Sequence, residues 1–145
     1  MIIDTVPSLV NDSKAPYKSH RDLHANIGTG FLGLSAFHSI MNDPTLCNMP
    51  MVLETPIDHK DVNGKTVEDK QVWADEIKLL ESLIGMDDAS DEFQQMSDEL
   101  QSKGTSERKK IQDQVDKKAV KDGKKGSRAG GKKGKKQQGS DDESD

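Results

Sequence analysis

Three side chains in the first half of the chain have the chemistry of metal ligands. Asp22 and His24 lie two residues apart in a run Arg-Asp-Leu-His, and Glu54 follows a short apolar stretch thirty residues after His24. Carboxylate oxygen and neutral imidazole nitrogen both bind Zn²⁺ at about 2.0–2.2 Å. The spacing by itself also fits a solvated polar loop, because Asp-x-His arises by chance in many loops.

Two apolar segments would position these side chains. Residues 5–10 predict a short strand, and the continuous apolar run Met51–Leu53 predicts a buried parallel strand. Pro16 disfavours helix at the residue before it, so residues 11–30 are expected to form an extended loop. Glu54 then stands at the end of a strand. An unpaired carboxylate is costly to bury there, so Glu54 needs a metal, a cation or a surface position.

Two helices are expected to cover the strands. Apolar spacing predicts a helix over residues 31–42 that ends before Pro44, with His38 as a core residue rather than a ligand. A second helix is predicted over residues 67–84, with Thr66 as N-cap and Gly85 as terminator. Its apolar stripe consists of Trp73, Ile77, Leu80 and Ile84. Strands alternating with helices indicate an α/β fold.

A glycine pair follows the polar run. Gly28 and Gly30 allow backbone conformations closed to other residues. They would serve either a close approach to a phosphate or the turn that starts a helix, and the pattern alone favours the turn.

The order of these motifs closely resembles the C-terminal part of the endonuclease IV family of apurinic/apyrimidinic (AP) endonucleases. The matching motifs are Asn11-Asp12-Ser13-Lys14, Arg21-Asp22-Leu23-His24, Asn26-Ile27-Gly28-Thr29-Gly30 and Leu53-Glu54-Thr55. The resemblance covers roughly residues 9–84. It implies a TIM barrel that carries three zinc ions and hydrolyses DNA on the 5′ side of an abasic site.

The resemblance also implies roles for single residues. Asp22 and His24 match two ligands of one zinc, and Glu54 matches a catalytic carboxylate that binds another zinc of the cluster. One position departs from the family pattern, because Leu9 stands where the family has a zinc-binding histidine. A leucine side chain offers no lone pair.

The chain is short for the implied fold. A TIM barrel needs about 250 residues, and this chain has 145. We therefore expect residues 1–86 to be a partial TIM barrel, made of the last two βα units. We also expect a truncated product or an incompletely described gene, inactive alone. The alternative is a non-catalytic remnant that binds DNA or a partner.

Composition changes sharply along the chain. Only 31% of residues are hydrophobic and 3% aromatic, too few to order the whole chain. Residues 87–102 predict a marginal helix or linker, and residues 103–145 predict a disordered Lys/Gly-rich tail with an acidic end. Residues 1–86 carry a net charge of −5, whereas residues 103–136 carry +10.

The basic tail contains lysine pairs of the kind found in nuclear import signals and in nucleic-acid contacts. The pairs are Lys117-Lys118, Lys124-Lys125, Lys132-Lys133 and Lys135-Lys136. The alternative is a solvated tail without a partner. Basic C-terminal extensions in eukaryotic members of the family imply import into the nucleus. Acidic residues after Ser140 predict a phosphorylation site.

Cysteine content and hydropathy restrict the remaining options. The single cysteine, Cys47, excludes an internal disulfide and fits a reducing compartment, and we expect it to fill apolar space. No apolar run approaches the length of a membrane span, so no membrane partner is expected.

Overall fold

The computed structural model describes residues 8–129. The chain divides into two compact units, residues 1–112 and residues 113–145. The first unit contains six short strands and most of the helices, so the fold is α/β, as predicted. In the described part of the chain, no helix is long and apolar enough to cross a membrane.

A strand–helix–strand unit forms the centre of the fold. Strand β1 (Ser8–Val10) pairs in parallel with β4 (Met51–Leu53), and helix α1 (Gly33–Met41) lies between them in sequence. The register places Leu9 opposite Val52 and Val10 opposite Leu53. Because successive side chains of a strand point to opposite faces, Val10 enters the core while Leu9 faces away from it.

The prediction of a strand buried on both faces was wrong for β4. Val52 is 47% exposed and Leu9 is 62% exposed, because no described element covers that face of the β1–β4 pair. The helices cover the opposite face only. The core there contains Val10, Ile27, Leu34, Phe37, Leu80, Leu83 and Phe93.

Helix α1 begins later than predicted and its apolar face is shifted. Phe31 precedes the helix and is 43% exposed, whereas Leu34 and Phe37 are buried. His38 is a core histidine, as predicted: its Nε2 lies 2.6 Å from the Met86 carbonyl oxygen, and its ring contacts Phe93 edge-on.

A short 3₁₀ turn, Pro44–Leu46, leads from α1 toward β4. Asp43 caps it, and hydrogen bonds from the Thr45 hydroxyl and then the Thr45 N–H lower the pKa of Asp43. Cys47 follows this turn and is exposed, so the expectation that it fills apolar space was wrong.

The predicted second helix is shorter at its start. Strands β5 (Asp58–Lys60) and β6 (Thr66–Glu68) form an antiparallel hairpin, and α2 (Gln71–Ser82) begins after it. Thr66 therefore belongs to the hairpin and is not an N-cap. Gly85 has a φ of 74°, as expected of a helix terminator.

Helix α3 (Asp91–Ala129) is much longer than the marginal helix predicted for residues 90–101. It continues through residues 103–129, where the sequence predicted disorder. Lysine, glutamine, glutamate and alanine are good helix formers. In the first unit, Phe93 and Ile111 also anchor the helix in buried positions. Residues 130–145 of the predicted tail lie outside the described part of the chain.

Candidate metal site

A short antiparallel ribbon holds the loop that carries Asp22 and His24. Strand β2 (Asp12–Ser13) pairs with β3 (His24–Ala25), so Ser13 lies opposite His24. The Lys14 N–H extends the ribbon by donating to the Leu23 carbonyl at 3.1 Å. The ribbon closes the loop at the residues that could do chemistry.

The His24 imidazole is oriented by the backbone of Glu54. Nδ1 of His24 lies 2.8 Å from the Glu54 carbonyl oxygen, and Nε2 lies 3.2 Å from Oδ1 of Asp22. A carbonyl oxygen only accepts hydrogen bonds, so Nδ1 carries a hydrogen and donates it. In the neutral ring the lone pair is then on Nε2, on the side of the Asp22 carboxylate.

This arrangement matches two ligands of one zinc ion. In a tetrahedral site with bond lengths of about 2.0–2.1 Å, neighbouring donor atoms stand about 3.3 Å apart. Nε2 of His24 and Oδ1 of Asp22 are separated by 3.2 Å. Ligating histidines commonly donate their other N–H to a backbone carbonyl, as His24 does. The same geometry also suits an ion pair between Asp22 and a doubly protonated His24.

The structure brings two of the three predicted ligands together through their side chains. Glu54 takes part through its carbonyl oxygen, and its N–H donates to the Val10 carbonyl at 2.9 Å. Among residues 8–129, no group of three or more His, Cys, Asp or Glu side chains could hold a metal ion. The donor set therefore fits a zinc ion in type and spacing but is incomplete in number.

Asp12 organises the loop behind the site, a role that the sequence reasoning did not assign. Its carboxylate is fully buried and accepts hydrogen bonds from four backbone N–H groups, at 2.7–3.2 Å. The donors are the N–H groups of Ser13, Gly30, Leu32 and Gly33. An aspartate close to a glycine-rich turn was the available signal. The partners of Asp12 across the loop could not be deduced from it.

Glu76 of α2 ties the loop to β4 and was also missed. Its Oε2 accepts from the Ile27 N–H at 2.8 Å, and its Oε1 accepts from the Thr55 hydroxyl at 2.6 Å. Glu76 and Thr55 are buried. Trp73, predicted as a packing anchor, donates from Nε1 to the Thr55 carbonyl at 3.0 Å.

Helix α3 contacts the glycine turn from outside through three carbonyl groups. Nε2 of Gln101 donates to the carbonyl oxygens of Gly28 and Gly30, at 2.7 and 2.9 Å. Nη1 of Arg108 donates to the Thr29 carbonyl at 2.5 Å. Because the turn's carbonyls contact α3 and N–H groups on either side of Phe31 contact Asp12, the glycines form the start of α1 and not a phosphate site.

The lysines predicted to contact DNA lie in or beyond the second unit. Lys117, Lys118, Lys124 and Lys125 are exposed residues of α3. Lys132, Lys133, Lys135 and Lys136 lie outside the described residues, and their role stays a prediction.

Comparison with known proteins gives partial matches. No profile of a known protein family matches the chain. The chain is 41% identical over 122 residues to the protein named apurinic-apyrimidinic endonuclease 1 of Schizosaccharomyces pombe, a stretch that covers 83% of this chain and 33% of that protein. It is also 53% identical over 47 residues to the probable endonuclease 4 of Clostridium botulinum, covering 32% and 17% of the two chains.

A third relative extends the bacterial match. The chain is 43% identical over 74 residues to the probable endonuclease 4 of Clostridium beijerinckii, covering 51% of this chain and 23% of that protein. The chain thus spans about a third or less of the length of these relatives. The predicted resemblance is confirmed: the chain matches a partial stretch of proteins of the endonuclease IV family.

Proposed function

We propose that this chain contributes part of the active site of a zinc-dependent AP endonuclease, which hydrolyses DNA on the 5′ side of abasic sites in base-excision repair. The observation that carries the proposal is the geometry of His24. Its Nδ1 is fixed by the Glu54 carbonyl at 2.8 Å, and its Nε2 lies 3.2 Å from the Asp22 carboxylate. The names of the partially matching relatives support the nuclease role.

The proposed architecture is the closing part of a TIM barrel. Strands β1 and β4 are parallel neighbours connected through α1, and the Glu54 N–H continues their pairing onto the Val10 carbonyl. TIM barrels place their chemistry at the carboxyl ends of the strands. Glu54 stands at that end of β4, and the loop after β1 carries Asp22 and His24.

In this proposal Asp22 and His24 hold one zinc ion, and the Glu54 side chain holds another as the catalytic carboxylate. Such ions supply Lewis acidity and an activated water for phosphodiester hydrolysis. The remaining ligands would come from the part of the relatives that this chain does not match. Because only two ligand side chains come together here, we propose that the chain alone cleaves poorly or not at all.

Titration of the full chain with Co²⁺, followed by visible absorption, tests the metal site directly. His24→Ala and Asp22→Asn are expected to lower the affinity at least tenfold. His59→Ala is the matched control, because His59 is an exposed histidine of the β5–β6 hairpin. Equal binding by all three variants and the unchanged chain would overturn the assignment and favour the ion pair.

A second candidate is a non-catalytic remnant that binds DNA or a partner protein. Leu9 in place of a ligand and the lack of a three-ligand group among residues 8–129 favour it. A nicking assay on a duplex with one abasic site, with added Zn²⁺, separates the two candidates. Binding without nicking supports the remnant, and zinc-dependent nicking supports the nuclease.

For the basic tail we propose recognition by the nuclear import machinery. The lysine pairs Lys117-Lys118 and Lys124-Lys125 are exposed, as a signal of this kind requires. A fluorescent fusion of the chain should accumulate in the nucleus, and replacement of the tail lysine pairs by glutamine should abolish accumulation. An unchanged distribution would contradict the proposal.

A further inference from the structure

The helical part of the second unit carries its lysines on one face. Lys117, Lys121 and Lys124 follow one another at intervals of four and three residues in α3, and all are exposed. At about 100° per residue, these three positions fall within an arc of about 60°. Lys118 and Lys125 lie beside this row, on the same side of the helix. We call the five residues the lysine face.

Acidic residues of the second unit are mostly kept off this face. Asp116 and Asp122 stand about 100° or more from Lys117 in the helical projection. Asp113 lies one turn before the first lysine and begins the row. The lysine face is therefore a line of positive charge about two turns long, set against carboxylates on the other sides.

We propose that the lysine face binds the phosphate backbone of duplex DNA, independently of base sequence and of the abasic site. The choice of DNA rests on the proposed function. The rise from Lys117 to Lys124 is about 10 Å at 1.5 Å per residue. Three successive phosphates of one DNA strand advance by a similar distance, at about 3.4 Å each.

The composition of this part of the helix argues against a lipid surface as the partner. An interfacial helix needs a broad apolar face opposite its lysines. In residues 113–125 the only aliphatic side chains are Val115, Ala119 and Val120, and Val120 is 61% exposed. Charge, not apolar burial, therefore carries the interaction, and the affinity should fall steeply with salt.

A variant that keeps the composition but disperses the lysine face provides the decisive test. It combines three exchanges, Asp116→Lys with Lys117→Asp, Ala119→Lys with Lys121→Ala, and Gly123→Lys with Lys124→Gly. The net charge and the lysine count stay the same. Binding of the full chain to an undamaged 30-base-pair duplex is measured in EDTA over a range of salt concentrations. Circular dichroism reports whether helix content is retained.

The exchanged variant should bind at least tenfold more weakly at low salt. Its slope of log K against log salt should fall by about two to three, at roughly 0.9 per lysine–phosphate contact. An unchanged affinity and slope would show that lysine content alone matters and would overturn the proposal. Tighter binding to anionic lipid vesicles than to duplex DNA would also overturn it.

A second variant pair keeps the test independent of helix content. Replacement of Lys117, Lys121 and Lys124 by glutamine should weaken binding, whereas replacement of Lys65, Lys70 and Lys78 by glutamine should not. The control lysines are exposed and lie in the hairpin and in or near α2. Equal losses in the two variants would contradict the lysine face. Because undamaged DNA and EDTA are used, these results do not depend on the proposed nuclease activity.

Discussion

The backbone of Gly104 in α3 lies against the carbonyl group of Thr29, so close that a methyl group at residue 104 would overlap the Thr29 oxygen. Gly104 is also buried, although it stands in the middle of a helix. Glycine normally weakens a helix interior by about 0.5–1 kcal/mol relative to alanine. Here it permits the close packing that lets Gln101 and Arg108 reach the turn.

Gly104→Ala should therefore destabilise the protein. Overpacking against a backbone group costs about 1–3 kcal/mol, more than the gain in helix propensity. Urea unfolding measures the change in the free energy of unfolding. Gly123→Ala is the matched control in the same helix, because nothing lies within 4 Å of a Cβ built at residue 123. The control should raise helix content, and an equal gain from Gly104→Ala would contradict the packing.

Asp12 and Asp22 should separate stability from metal binding. Asp12→Asn removes charged acceptors from four backbone N–H groups in a buried site and should cost about 2–4 kcal/mol of unfolding free energy. Asp22 has a side chain that is 91% exposed, so Asp22→Asn should change stability by less than about 0.5 kcal/mol. Its effect should appear in Co²⁺ affinity. A reversed pattern in denaturation and titration would refute this division.

Replacement of the Gln101 amide by a carboxylate should be worse than its removal. The Gln101 side chain donates to two carbonyl oxygens, and Gln101→Glu would present an oxygen to both. We expect Gln101→Ala to cost about 1 kcal/mol and Gln101→Glu to cost more, because two acceptors then face each other. Denaturation of the two variants at neutral pH gives the order. A smaller loss for Gln101→Glu would show that the amide does not hold the turn.

The central elements could be predicted from the sequence because their signals are local. The apolar run Met51–Leu53 and the spacing of Leu34 and Phe37 define β4 and α1 without reference to the rest of the chain. Asp22 and His24 come together because two residues of one loop separate them by little. The orientation of His24 was not predictable, since it depends on a carbonyl group thirty residues away.

Other elements could not be predicted, because nonlocal contacts determine them. The hairpin strands β5 and β6 contain mostly exposed polar residues, so no apolar alternation marks them. Glu76 interrupts the apolar stripe of α2 but is buried by partners near Ile27 and Thr55. The first part of α3 looked too polar to fold. The turn carbonyls that bind Gln101 and Arg108 lie more than seventy residues earlier.

Leu9→His should strengthen metal binding if the family resemblance holds in detail. Leu9 stands at the family's zinc-binding histidine and is 62% exposed, so the exchange should cost little stability. A third ligand beside Asp22 and His24 should raise Co²⁺ affinity at least tenfold. Val52→His is the matched control, because Val52 is the register partner of Leu9 and is similarly exposed. Equal gains from both variants would reflect an added surface histidine and would contradict a site that includes residue 9.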